Sequence, residues 1–564
     1  MRLWAILYLA SISSPALFAQ TSFAQQQIPL QAPFSAPSTS SSTSGEANVL
    51  HRLTFPSRAA TQAARDWLQH DYDVWKATPS TIDVLLPMWT DRSVSVPFES
   101  WLLDLGATSS SIIIPSLSHL LRTSPTLGSS YNRMLSSAAL ANWTSSSEAS
   151  ATQSGASRQR RALDASTIHD SYHPLEAIEN ILRSFEQDFP GFAKVVVIGA
   201  SSEGRTIWGL KVTNFAYQPE SAPLNSEQTT MDELLNKRKT KKKKKKKKED
   251  ERLAAKHGFV VVGAQHAREW IAPATALYAI HDLLLSSLPD EASDKASDNT
   301  RQLLDEIEFT FIPVLNVDGY AYTWTNNRLW RKNRQPVGSD CFGLDLNRNW
   351  PYAFSSPRPN PCSEAYPGSE PFQSPELQAL SAYLTHEKHN IKAFLDLHSF
   401  GQFILFPYSY SCDHASPDQE NHFEAVVGAQ KALRAVHGRS FDVGSVCEVS
   451  LTAPGGSLDW SYQTAGIRWS FSIELRDQGV FGFLLPPSQI RASGEETAEA
   501  FKDLAAYVVR KEAGGGSALM RSKGGLFVAL HPPARVSLFV FVLVTLLCVT
   551  CLCLIAAYSL PASP

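Results

Sequence analysis

Between Tyr172 and residue 512 the chain carries a series of short, uncharged and largely apolar runs: Val195–Ile198, Ile207–Leu210, Phe259–Val262, Phe309–Ile312, Ala393–Leu395 and Trp469–Ile473. Segments with helical periodicity, such as Leu175–Phe185, separate them. Strands with no charged residue and little polar content offer water no strongly polar face, so these runs predict a largely buried sheet covered by helices, an α/β domain over 166–512. With 564 residues, 43% of them hydrophobic, the chain can bury a large core and exceeds one ordinary domain, which excludes a small disulfide scaffold.

Other segments surround that domain. Residues 1–24 combine Arg2, an apolar run and the small-x-small sequence Ser22-Phe23-Ala24, the pattern of a secretory signal peptide. Residues 25–48 read as a low-complexity linker, and 50–130, with Ile82–Leu86 and Ile112–Ile114, as a small α+β domain. The Ser/Thr-rich linker 131–161 holds the glycosylation acceptor Asn142-Trp143-Thr144 and ends at Arg158-Gln159-Arg160-Arg161, a run suited to a processing protease at Arg160 and Arg161. The net charge of −3 becomes −14 once the eleven basic residues between Lys237 and Lys248 are set aside. That tract marks a solvated insertion at about 219–256, and basic charge confined to one tract argues against nucleic acid as a partner.

After a linker at 513–535, residues 536–558 are uncharged and long enough to cross a bilayer. Gly524-Gly525, a spacer and this tail match a lipid-anchor signal; a single-pass anchor stays open. The expected location is the secretory pathway and then the cell surface or exterior, tethered to membrane by the C-terminal segment. Three of seven cysteines lie in that tail. The other four, Cys341, Cys362, Cys412 and Cys447, favour disulfides in an oxidising compartment, with Cys341–Cys362 the first pairing and Cys412–Cys447 the one left by elimination.

The run 259–262 leads into Gln265-His266-Ala267-Arg268-Glu269-Trp270. An imidazole and a carboxylate three residues apart can converge on one metal ion, though His-x-x-Glu alone is a weak signal. His398 and Glu474 strengthen it, because each ends another apolar run, and ligands gather at the carboxyl ends of strands in open α/β sheets. Two histidines, a glutamate and a water form a catalytic zinc site with an open position.

These strings, together with Asn316-Val317-Asp318-Gly319-Tyr320, Arg328-Leu329-Trp330-Arg331-Lys332, Asp345-Leu346-Asn347-Arg348-Asn349-Trp350, Asp396-Leu397-His398-Ser399 and Glu474-Leu475-Arg476-Asp477, resemble the carboxypeptidase A/B family of zinc exopeptidases, in the family's order. The resemblance implies a mixed central sheet flanked by helices, and an activation peptide over 50–130 that makes the chain a zymogen. It implies one zinc ion per chain held by His266, Glu269 and His398, with Asp345 orienting His266 from behind. Glu474 is then the general base, Arg331 faces the developing oxyanion, and Asn347 and Arg348 clamp the terminal carboxylate of a peptide or protein substrate. Arg268 and Arg328 are further candidates for substrate contact, while Arg476 and Asp477 read as a buried ion pair outside the site.

Two departures from the family pattern stand out. Leu451 takes the place of a mobile tyrosine that covers substrate, and Phe400 replaces a tyrosine beside the cleft. Leu458 at the pocket floor favours hydrophobic or aromatic C-terminal residues, because a charge buried there without a partner is costly. The expectation is an active zinc carboxypeptidase. The alternative is a carboxypeptidase-like peptide-binding protein with weak or no turnover.

Overall fold

The computed structural model describes residues 48–87, 98–123, 167–217, 256–288, 295–338, 340–356 and 360–513. The expected signal peptide at 1–24, Asn142, Arg160, Arg161, the lysine tract and the hydrophobic segment 536–558 lie outside these residues. Among the described residues no helix is long and apolar enough to cross a membrane.

The N-terminal domain is a four-stranded antiparallel sheet of β1 (Asn48–Thr54), β2 (Asp73–Ala77), β3 (Thr81–Pro87) and β4 (Ser109–Ile114), in the order β2-β3-β1-β4. The helix Arg58–Asp71 begins where the Ser57 hydroxyl accepts the Ala60 N–H at 3.2 Å, and it packs Ala64 and Leu68 onto Leu53, Ile82 and Val84.

The larger domain is built on eight strands: β5 (Ala193–Ala200), β6 (Thr206–Val212), β7 (His257–Gly263), β8 (Ile307–Ile312), β9 (Ile391–Ser399), β10 (Phe403–Phe406), β11 (Asp442–Ser445) and β12 (Trp469–Leu475). Their order is β11-β10-β12-β9-β7-β8-β6-β5, parallel at the centre from β12 to β8 and antiparallel from β8 outward to β5. The sheet is therefore mixed, and the six apolar runs are its six longest strands. The helix Ile271–Ser287 is buried almost all round because it lies between the sheet and the helix Ile490–Glu512. Gly494 permits that approach: a Cβ there would stand 2.3 Å from the Tyr278 ring. Cys341–Cys362 and Cys412–Cys447 are both joined, with Cα separations of 5.1 and 5.4 Å.

Arg476 departs from the expected pairing. Its guanidinium forks onto Glu496, with both bonds 2.6 Å, whereas Asp477 accepts the N–H groups of Gly479, Phe481 and Gly482. Adjacent residues at a strand exit point apart, so Asp477 cannot follow Arg476 into the core and instead caps the turn.

Behind the sheet, His169 Nε2 lies 3.0 Å from His281 Nδ1, both rings buried against Tyr278 and Phe185, with Arg491 nearby. Burial, reinforced by Arg491, holds His281 down at about 4. The unfolded chain therefore binds a proton near pH 6.5 that the folded chain refuses until about pH 4, so the stability from this site is complete above 6.5 and lost as pH falls through that window. The expected loss is about 3 kcal/mol. Urea titrations at pH 7 and pH 4.5 should show a smaller difference for His281→Gln than for the natural chain; equal differences would refute this.

Candidate active site

Three parallel neighbours, β12, β9 and β7, open their carboxyl ends at one edge of the sheet. His266 and Glu269 follow β7, His398 sits near the end of β9, and Glu474 lies beside His398 in the β12 register. The loop after β7 is pinned by Ala267 N–H donating to Arg331 O at 2.9 Å and by Asn316 Nδ2 donating to Gln265 O at 3.2 Å. Segments far apart in sequence thus reach one place through main-chain geometry.

The Glu269 carboxylate lies between the two imidazoles, with Oε1 2.7 Å from His266 Nδ1 and Oε2 3.0 Å from His398 Nδ1. One donor atom from each of the three residues falls within 4.8 Å of the others, and all three side chains are buried. The outer nitrogens face away: His266 Nε2 is 3.0 Å from Asp345 Oδ1, and His398 Nε2 is 3.0 Å from Asp396 Oδ2. A carboxylate on each outer nitrogen leaves each Nδ1 lone pair pointing inward, so the donor set fits one divalent ion of the zinc type. Burial works against ionisation of Glu269, yet the two imidazoles outweigh it and hold its carboxyl far below the usual range.

Arg331 donates to Asp345 Oδ2 at 2.8 and 3.1 Å, which leaves Nη1 3.9 Å from Glu269 Oε1. Asp345 Oδ1 also accepts the Asn347 N–H at 2.9 Å, while Asn347 Oδ1 accepts Ser457 N–H at 2.8 Å. Arg348 is held by the Asn347 carbonyl at 2.7 Å, and burial lowers it to about 10. Glu474 is pushed up to about 7, chiefly by burial, with Glu269 adding to the rise and His398 opposing it. A cavity of 180 Å3 joins His266, Glu269, His398, Arg331, Asn347, Arg348 and Glu474 to Leu451 and Leu458.

The other two arginines are placed differently. Arg328 donates to the carbonyls of Arg268 and Phe483 at 2.8 and 2.6 Å and lies 3.7 Å over the Trp270 ring, so the structure gives it a packing role away from the cleft. Arg268 bonds Asp73 of β2 at 2.7 Å.

The N-terminal domain covers this cleft. Trp75 packs on Phe483 and Phe400 at 4.8 and 6.3 Å between centroids, in one buried cluster with Leu50, Ile114 and Leu117. Gly482 makes room for it: its φ of +57° suits glycine, and a Cβ would meet the Trp75 ring at 2.9 Å. Along one face of the helix Arg58–Asp71, Arg58 donates to Ser450 O at 3.0 Å, Gln62 accepts Thr452 N–H at 3.1 Å, and Arg65 donates to Thr452 O at 2.6 Å, gripping the loop that carries Leu451. Sequence reasoning missed these contacts, which span nearly 400 positions. It also missed Asp396, although the two-residue period of a strand puts Asp396 and His398 on one face.

The buried His266, Glu269 and His398 group that could hold a metal ion thus lies in one cavity with Glu474 and the Asn347/Arg348 pair, at the carboxyl ends of parallel strands of an α/β sheet. The chain belongs to the zinc carboxypeptidase family, whose model matches residues 178–500. It is 37% identical over 336 residues to a Schizosaccharomyces pombe protein named inactive metallocarboxypeptidase ecm14, covering 58% of this chain and 60% of that one. It is 30% identical over 454 residues to the Saccharomyces cerevisiae protein of the same name, covering 79% and 88%. Thrombin-activatable fibrinolysis inhibitor superposes with a TM-score of 0.58 at 27% identity, covering 83% of this chain and all of that one. Carboxypeptidase A from Helicoverpa armigera shares the fold, with a TM-score of 0.60 at 24% identity and 82% and 98% coverage. The names of the fungal relatives favour the carboxypeptidase-like protein with weak or no turnover over the active exopeptidase expected from the motifs.

Proposed function

We propose that the chain is a zinc-binding, carboxypeptidase-like protein of the secretory pathway that receives peptide C-termini and turns them over slowly or not at all. The observation that carries this is the cavity that joins the His266, Glu269 and His398 donor set to Arg348 and Glu474. The fungal relatives' names and the absence of a hydroxyl at Leu451 point the same way. Asn347 and Arg348 receive the terminal carboxylate, and Leu458 gives the pocket an apolar floor. Two disulfides fit an oxidising compartment, and a lipid anchor or single-pass helix at 536–558 would tether the protein to a surface.

A second reading, an exopeptidase removing hydrophobic or aromatic C-terminal residues after a protease cuts at Arg161, is favoured by Glu474. Burial poises this carboxyl to take a proton from water and return it to the leaving amine. Zinc, when bound, supplies a Lewis acid beside it, and Arg331 stands where the carbonyl oxygen gains charge.

The test is release of Phe, Leu, Lys or Glu from matched peptides by the full chain and by the chain cut after Arg161, with and without chelator. No release above that of a Glu474→Gln control by either form, with micromolar retention of peptides ending in Phe or Leu, is the expected result. Chelator-sensitive release of Phe or Leu that Glu474→Gln abolishes would establish the second reading instead.

A further inference from the structure

Asp345 and Asp396 approach their histidines at the same distance, but their surroundings differ. Asp345 shares its charge with Arg331 through two bonds. Asp396 is completely buried, and among the described residues its hydrogen-bond partners include no cation: Oδ2 accepts from the Ser457 hydroxyl at 2.6 Å and from Gln265 Nε2, both neutral donors, and stands 3.0 Å from the His398 ring. Among the described residues its Oδ1 is buried without a hydrogen-bond partner. A carboxylate placed there has one route to electrostatic compensation, through His398 to whatever positive charge lies beyond Nδ1. Asn347 Nδ2 also hydrogen-bonds His398 Nε2, at 3.4 Å, but the Asp396 oxygen stands closer, at 3.0 Å, and carries charge.

We infer that Asp396 is a positioning residue for the metal: it fixes His398 as the tautomer protonated at Nε2, aims Nδ1 inward, and adds a negative charge that tightens the hold on a divalent cation. The inference rests on the zinc-binding reading above. With carboxylates behind both histidines, the imidazoles donate more strongly and the held ion is a weaker electrophile, a balance that favours retention over turnover. The two carboxylates are not equivalent, because Arg331 already offsets Asp345. Asp396 supplies the uncompensated charge.

The test is zinc competition with a chromogenic chelator on the full chain carrying Asp396→Asn or Asp396→Ala, with Ser457→Ala as control. Both Asp396 variants should bind zinc roughly 10–100-fold more weakly, whereas Ser457→Ala, which removes a bond to the same oxygen but no charge, should stay within about threefold. Asn keeps the shape, so it carries the test if Ala perturbs the fold, which near-ultraviolet circular dichroism of the metal-free proteins would reveal. Long-range proton–nitrogen NMR on histidine-labelled, zinc-loaded protein supplies a signature that packing alone does not give: His398 protonated at Nε2 in the natural chain. Zinc affinity unchanged in Asp396→Asn, or His398 protonated at Nδ1, overturns the inference. Failure of the natural chain to bind zinc overturns the zinc-binding reading and the inference with it.

Discussion

His266→Ala in the full chain is expected to abolish stoichiometric zinc binding while leaving a folded protein. The substitution removes one of three inward donors and leaves Asp345 without the ring it orients, so the loss should exceed the roughly 10–100-fold typical of changes behind the ligands. The fold should survive because His266 sits in a loop pinned by backbone bonds from Ala267 and Asn316, neither of which needs its ring. Chelation should lower the thermal midpoint of the natural chain and leave that of the variant unchanged, since only a bound ligand stabilises by mass action. Retention of one zinc per chain by the variant after dialysis would show that the ion lies elsewhere.

Arg476→Met should cost about 3–5 kcal/mol, the usual penalty for stranding one member of a buried ion pair, here Glu496. Guanidinium unfolding would read the loss directly. Replacing Glu496 by Leu in the same chain should recover most of it, because the penalty belongs to the uncompensated charge and not to the missing contact. A single variant as stable as the natural chain would mean that Glu496 finds water or a proton. The pair lies two residues beyond Glu474, so the single variant should also disturb the metal-side edge of β12.

The central strands were legible because parallel strands buried on both faces leave runs such as Phe259–Val262 with no polar interruption. The convergence of His266, Glu269 and His398 was legible for a related reason: a strand end is a fixed point from which a side chain enters the site. β11 was not, since Asp442-Val443-Gly444-Ser445 has no pattern and is a strand only through its pairing with β10. The partner of Arg476 was hidden as well, because twenty residues and a turn separate it from Glu496 while Asp477 offers a decoy next door. Arg328 looked like a candidate for the cleft by its neighbours in sequence, and only packing over Trp270 shows otherwise.

The Trp75 cluster and the grip of Arg58, Gln62 and Arg65 on the 450–452 loop have a consequence for any cut at Arg161. Severing the linker would not by itself expel the N-terminal domain, because none of these contacts runs through it. The nicked product would be a two-chain complex whose halves lose only their high effective concentration. Dilution would then act as the release step, and the amount of protein present would decide how much of the cleft stands open.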